Sequence, residues 1–224
     1  MPDIRIQRAH VIDGAFNRSR EWPYNLRIND FRNTMDDVYD FMYDINERSV
    51  QRGWGRFEDM LQLQALSNVL SNIINLAMAR HSRELVVNTI PNGHPDLIRH
   101  GLYPNDSAVN AAPDEGVEMK ATRNTSGAVD MHGAREQDLC TFVYQVDRDE
   151  AKPIGDRKPL QFVGIFLGRV EESDYRKNAR NELGTKTATL DAAGLVKYRQ
   201  NWVYLTNELR SRNWCGQELN LPML

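Results

Sequence analysis

Asp96, then twenty-one intervening residues, then Glu118 and Lys120 with one residue between them, are the side chains whose types and spacing could do chemistry. The second group sits in Gly116-Val117-Glu118-Met119-Lys120-Ala121-Thr122, where charged residues alternate with Val117, Met119 and Ala121. On a β-strand, side chains two apart share a face, so Glu118 and Lys120 would point one way and the apolar residues the other. Two carboxylates and an ammonium brought together form a set able to hold a divalent metal and orient a water. Phosphodiester hydrolysis asks for such a set: a positioned water, and positive charge at the pentavalent transition state. For an isolated acid-x-lysine strand, a surface salt pair is the competing reading. The upstream His94-Pro95-Asp96 and the strand-like setting tip the balance toward a site.

Pro95-Asp96 followed by Glu118-Met119-Lys120, in the contexts HPDLI and GVEMKAT, resembles the PD-(D/E)XK nuclease signature, and type II restriction endonucleases in particular. The resemblance covers roughly the middle third of the chain. It implies an α/β fold with a restriction-endonuclease-like core, a central mixed β-sheet flanked by α-helices. It implies sequence-specific hydrolysis of double-stranded DNA by a cytoplasmic enzyme that uses Mg²⁺, for which Mn²⁺ can substitute, as in restriction–modification. A palindromic site would be matched by a homodimer. Asp96 and Glu118 would be metal ligands, with the backbone carbonyl of Met119 as a further one, and Lys120 would orient the attacking water or help deprotonate it. Because related nucleases draw an extra acid from a helix before the sheet, Glu58 is a candidate metal ligand and Glu47 a weaker one. The plainer reading, that Glu58 complements a helix N-terminus, is adopted for either residue alone. A DNA-repair or junction-resolving nuclease, a non-catalytic DNA-binding protein and a metalloenzyme acting on a small substrate are the alternatives.

The elements needed to position these residues follow from periodicity. Residues 1–28 have no sustained period and are read as a solvated, partly ordered arm, in which Arg18, Arg20 and Arg27 beside Trp22 and Tyr24 could touch phosphate. Asn29 or Asp30 can cap a helix. Phe31, Met35, Val38, Met42 and Ile45 form its apolar stripe, and Gly53-Trp54-Gly55 ends it. A second helix is predicted from about Arg56 to Arg80, burying Phe57, Leu61, Leu66, Val69, Leu70, Ile73 and Ala77. Strands are predicted over 84–90, 116–123, 139–146 and 160–170, the last two being near-continuously apolar as in a covered sheet. Residues 101–115 and 124–137 read as loops. Ser173 can cap a helix over 174–183, residues 185–190 are polar and β-branched, and Asp191 caps a helical or mixed stretch. One domain is expected, with an arm and helical region to about residue 80, a catalytic core over about 81–170 and a DNA-facing part over about 171–224.

Composition narrows the class. The chain has 224 residues with a net charge of −3, which argues mildly against a nonspecific nucleic-acid coat protein. No apolar run approaches the ~20 residues that span a bilayer, and the N-terminus lacks the apolar core of a signal peptide. Cys140 and Cys215 are too few and too far apart for a metal knuckle, and read as reduced thiols. His94 and His100 lack zinc-site spacing, so His94 is taken as a turn residue near the site. His132 and Arg135, in the loop after the strand, are candidate DNA contacts, as is Arg123 at the strand's end; a solvated loop is the competing reading. Lys186, Lys197 and Arg199 are further candidates. They lie in residues 169–212, which hold nine Lys/Arg against six Asp/Glu, a net +3.

Overall fold

The computed structural model describes residues 5–177 and 187–211. Its centre is a six-stranded mixed sheet in the order β1-β2-β3-β5-β6-β9. The strands are β1 (Leu85–Val87), β2 (Leu97–Arg99), β3 (Gly116–Thr122), β5 (Gln137–Gln145), β6 (Gln161–Val170) and β9 (Trp202–Leu205). β3 and β5 run parallel, and every other neighbouring pair in this sheet is antiparallel. A second sheet, β4-β8-β7, is built from Asp130–Met131, Ala188–Leu190 and Tyr175–Lys177.

Both faces of the large sheet are covered, which is why β5 and β6 read as almost unbroken apolar runs. One face packs Val117, Met119, Ala121, Cys140, Phe142 and Phe162 beneath two long helices, α1 (Ile28–Gln51) and α3 (Leu63–His81). The other face packs Leu139, Val143, Val163 and Phe166 under α4 (Ala192–Arg199), α5 (Asn207–Arg210) and the small sheet. Helices therefore flank a mixed α/β sheet, as expected. Cys140 is a buried free thiol, whereas Cys215 lies outside the described residues. No helix among the described residues is long and apolar enough to cross a membrane.

α1 follows its expected stripe: Phe31, Met35, Val38 and Met42 are buried, and Asp30 closes the first turn by accepting from the Arg27 backbone N–H at 2.9 Å. The expected second helix is instead two. A short α2 (Phe57–Met60) ends before α3 begins, with Leu61 and Gln62 both extended. No glycine or proline causes the break. Arg148 donates to the carbonyls of Glu58 and Leu61, taking acceptors that a continuous helix would use itself. The arm is also not solvated: Phe16, Trp22, Tyr24 and Leu26 are buried against the core. Arg20 donates to Gln200 O, and Arg27 pairs with Asp30.

Residues 172–177 differ from the helix predicted over 174–183. Glu172–Asp174 form a single 3-10 turn, after which β7 pairs with β8 and buries Tyr175. Residues 178–183 of that predicted helix lie outside the described residues. Asp191 does cap α4, accepting from Gly194 N at 2.8 Å. Gly194 is required there, since a Cβ would meet Asp174 O at 2.3 Å.

Candidate functional site

The site is made by a strand that loses its neighbour. β2 pairs with β3 only at Leu97↔Val117 and Ile98↔Gly116. The chain then leaves through Pro95, which has no N–H to continue the ladder. Beyond Val117 this edge of β3 is open, and side chains take over the missing bonds. The Met119 N–H donates to Asp96 Oδ2 at 3.0 Å, and the Ala121 N–H donates to Ser71 Oγ of α3 at 3.0 Å. Asp96, the first residue past the end of β2, thus lands beside the Glu-Met-Lys segment. Along a strand, the N–H and C=O of one residue face the same edge, so the Met119 carbonyl also points to this open side. Gly116 permits the approach: a Cβ there would meet Leu97 O at 2.2 Å and Pro95 Cγ at 2.6 Å.

Val117, Met119 and Ala121 turn under the long helices, so Glu118 and Lys120 take the other face. The Lys120 ammonium donates to Glu118 Oε1 at 2.5 Å, and His94 Nδ1 lies 3.0 Å from Glu118 Oε2. Asp96 is close enough to feel both charges. Burial, and then the nearby Glu118, raise its carboxyl to about 6, against the pull of Lys120 and the Met119 N–H. Burial would also raise Glu118, but the His94 hydrogen bond and the Lys120 charge outweigh it and bring it down to about 2. For Lys120, burial is outweighed by Glu118 and Asp96, which hold the ammonium above its ordinary value.

Asp96, Met119 and Lys120 open onto a cleft of about 690 Å³. Its walls are α3, through Ser67, Asn68, Ser71, Asn72 and Asn75, and the loop from Thr122 to Asp130. Asp96 Oδ1 has no hydrogen-bond partner among the described residues. Within them no three His, Cys, Asp or Glu side chains converge as a metal cage. A divalent ion here would therefore draw on one or two carboxylates, backbone oxygen and water, the set that suits Mg²⁺. The residues fit that demand: Asp96 Oδ1 is open to the cleft and the Met119 carbonyl faces the same edge. Glu118, with both oxygens engaged, would have to exchange Lys120 or His94 to join them.

The structure brings together Asp96, Glu118, Lys120 and Met119 from the sequence-derived set. Arg123 is exposed at the cleft wall, without an acidic partner among the described residues. Arg135 lines a separate cavity of about 440 Å³ with His94, and exposed His132 lies nearby, its carbonyl 3.5 Å from Arg135 Nη2. Glu58 does not join the site. It is fully buried, 3.3 Å from Arg56 Nε, and accepts from Asn46 Nδ2 at 2.7 Å. Glu47 accepts from Tyr43 on α1. Lys197 is paired with Asp174 at 2.9 Å, and Arg199 is buried with its Nε donating to Ser126 O at 2.6 Å, so neither presents a free cation to a substrate. Lys186 lies outside the described residues.

Two contributors escaped the sequence reading. His94, read from the sequence as a turn residue near the site, lies 3.0 Å from Glu118 and fixes its carboxylate. The polar stripe of α3 (Gln64, Ser67, Asn68, Ser71, Asn72, Asn75) recurs at helical spacing and carries no charge, whereas a solvated helix face normally does. That missing charge was the available signal.

No protein-family model matches the chain, and no curated protein or solved structure matches it either.

Proposed function

We propose that this protein is a metal-dependent deoxyribonuclease of the PD-(D/E)XK type, a type II restriction endonuclease that hydrolyses double-stranded DNA as a homodimer. One observation carries the reading: Asp96, from before β2, meets Glu118 and Lys120 at the open edge of β3, with a carboxylate oxygen unclaimed and a cleft in front of it. A surface salt pair on an ordinary strand would need neither the third charge nor the cleft.

Bound Mg²⁺ or Mn²⁺ would supply positive charge beside the scissile phosphate and polarise the attacking water. The chain's own residues divide the remaining work. Asp96 offers Oδ1 as an oxygen ligand while its other oxygen stays on the Met119 N–H. Lys120, held as an ammonium by its carboxylate neighbours, is a donor and a positive charge at neutral pH. It orients the water and the phosphate and does not remove a proton. His94 fixes Glu118, so that the Glu118–Lys120 pair keeps its direction when substrate enters.

Supercoiled plasmid is the direct test. Cleavage with Mg²⁺ and none with EDTA is expected, giving discrete bands whose ends share one sequence. Uncut plasmid overturns the nuclease reading, and a smear replaces site-specific cutting with a nonspecific nuclease.

A further inference from the structure

One buried polar atom of the cleft is unexplained by anything above. Asn75 lines it, is only 8% exposed, and its Oδ1 has no hydrogen-bond partner among the described residues. A buried amide oxygen left bare costs about 1–3 kcal/mol, so its retention in a cleft points to something that binds there.

Its position follows from how α3 lies on β3. Ser67 Oγ bonds Tyr144 OH at 2.8 Å, and Tyr144 is one residue past Val143, the partner of Thr122. One helical turn later, Ser71 meets the Ala121 N–H. The helix therefore runs antiparallel to β3, and four helical residues (about 6 Å) keep pace with two strand residues (about 6.6 Å). The next turn brings Asn75 level with Met119, where the Asp96 carboxylate sits. Asp96, Met119 and Asn75 all line this cleft, and the helix–strand register sets the Asn75 amide oxygen on the same stretch of it as Asp96 Oδ1 and the Met119 carbonyl.

Their chemistry narrows the ligand. DNA phosphates and deoxyribose inside a duplex offer only acceptors, so the bare oxygen of Asn75 has nothing to take from a backbone. A hard divalent cation satisfies all three oxygens together. We propose that Asn75 is a cation ligand, its amide oxygen binding the same divalent ion as Asp96 and the Met119 carbonyl. The choice of ion rests on the nuclease reading, whereas the grouping of the three residues rests on their shared cleft, the register of α3 on β3 and the orphaned amide oxygen.

The test is calorimetric titration of the full chain with Mn²⁺ alone, without DNA, on wild type, Asn75→Ala and Asn75→Asp, with melting in EDTA as the check on folding. Wild type is expected to bind, Asn75→Ala at least about tenfold more weakly, and Asn75→Asp as tightly or more tightly. An aspartate cannot turn a donor toward a phosphate, so retained Mn²⁺ binding in that variant separates a cation ligand from a substrate donor. Equal affinity of wild type and Asn75→Ala, loss of Mn²⁺ by folded Asn75→Asp, or a wild type that binds no Mn²⁺ overturns the assignment. Plasmid digestion with the same preparations separates the two readings. Asn75-dependent binding with uncut plasmid removes the nuclease and keeps the site, and cleavage with Asn75-independent binding does the reverse.

Discussion

Two pairs in this chain have the same form. Arg56 and Glu58 stand one residue apart, as do Glu118 and Lys120, and in each the two charges touch and are largely buried. Their surroundings differ. The Arg56 guanidinium is 1% exposed, donates to the carbonyls of Lys158 and Asp147 and lies against Glu58, which Asn46 also binds. That pair ties α2 to α1 and to the segment after β5, and no solvent route reaches it. The Lys120 side chain keeps 25% of its surface in a cleft, beside a third charge with an open oxygen and an amide whose oxygen has no hydrogen-bond partner among the described residues. A pair sealed from solvent makes a fastener, even with Glu58 Oε1 held only by its ionic contact to Arg56. An open one leaves capacity for a ligand.

The largest effect should come from breaking the open pair. Lys120→Ala is expected to lower cleavage about 10³-fold, in the range of losing one positioned charge or proton-handling group. DNA binding by gel shift should stay close to wild type, and the melting temperature should fall modestly because Glu118 and Asp96 lose their shared cation. Normal cleavage by this variant would remove Lys120 from the chemistry and with it the main contrast.

Breaking the closed pair should do the opposite. Glu58→Ala leaves the buried Arg56 with Asp59, 3.5 Å from its Nε, as its remaining carboxylate neighbour, so the loss is about 2 kcal/mol, below that of a fully unpaired buried charge. Denaturant unfolding reads that loss, while cleavage per folded molecule is expected to be unchanged. A reduced rate at full folding would place Glu58 back among the candidate ligands.

The open site also makes itself felt as a pH-dependent strain. Asp96 rises from 3.8 to about 6 in the fold because it is buried beside Glu118. Below about pH 4 it is protonated in both folded and unfolded chains and has no effect. Between pH 4 and 6 the unfolded chain releases the proton and the folded one keeps it, so stability falls as pH rises through this window. The full shift corresponds to at most about 3 kcal/mol, and water in the cleft reduces it to about 2 kcal/mol. Asp96→Asn can still accept from Met119 N–H but never ionises. In EDTA it should be about 2 kcal/mol more stable than wild type at pH 8 and no different at pH 4. A gain that is the same at both pH values would show that packing, not charge, sets the difference. Glu118 acts the other way: its lowered carboxyl stabilises the fold above about pH 4.5 and loses that effect as pH falls toward about 2.

This contrast between open and closed partners also marks what could be read from the sequence. β3, β5 and β6 were legible because two covered faces demand apolar side chains at nearly every position, and the alternation around Glu118 and Lys120 put them on one face. The meeting with Asp96 was legible only as spacing and in Pro95, which cannot continue a ladder, since nothing in the sequence says which strand β2 pairs with. What stayed hidden depends on distant partners. Arg148 ends α2 from far along the chain, and Tyr175 is drawn into a strand by pairing with Leu190 where Ser173 suggested a helix cap. Trp22 and Tyr24 look like arm residues until Tyr24 OH is seen to bond Gly116 O and Asp138, at 2.8 and 2.7 Å. Asn75 was passed over because a polar residue on a helix is usually solvated, and its burial is decided by β3.

The smallest effects should separate the basic residues by the same criterion. Arg123 lines the cleft and is exposed without an acidic partner among the described residues, whereas Lys197 already neutralises Asp174 and Glu171 at 2.9 and 3.6 Å. Only an unpaired cation releases counterions when a phosphate arrives. Arg123→Ala should therefore weaken DNA binding less than about tenfold, equally across sequences, and reduce the slope of log affinity against log salt by about one. Lys197→Ala should leave that slope unchanged, because the charge it removes was spent within the protein. A salt titration of both variants decides the point. Equal slopes for the two would mean that ion pairs on this surface open when DNA binds, and that the closed-versus-open distinction applies only to buried sites such as Arg56–Glu58.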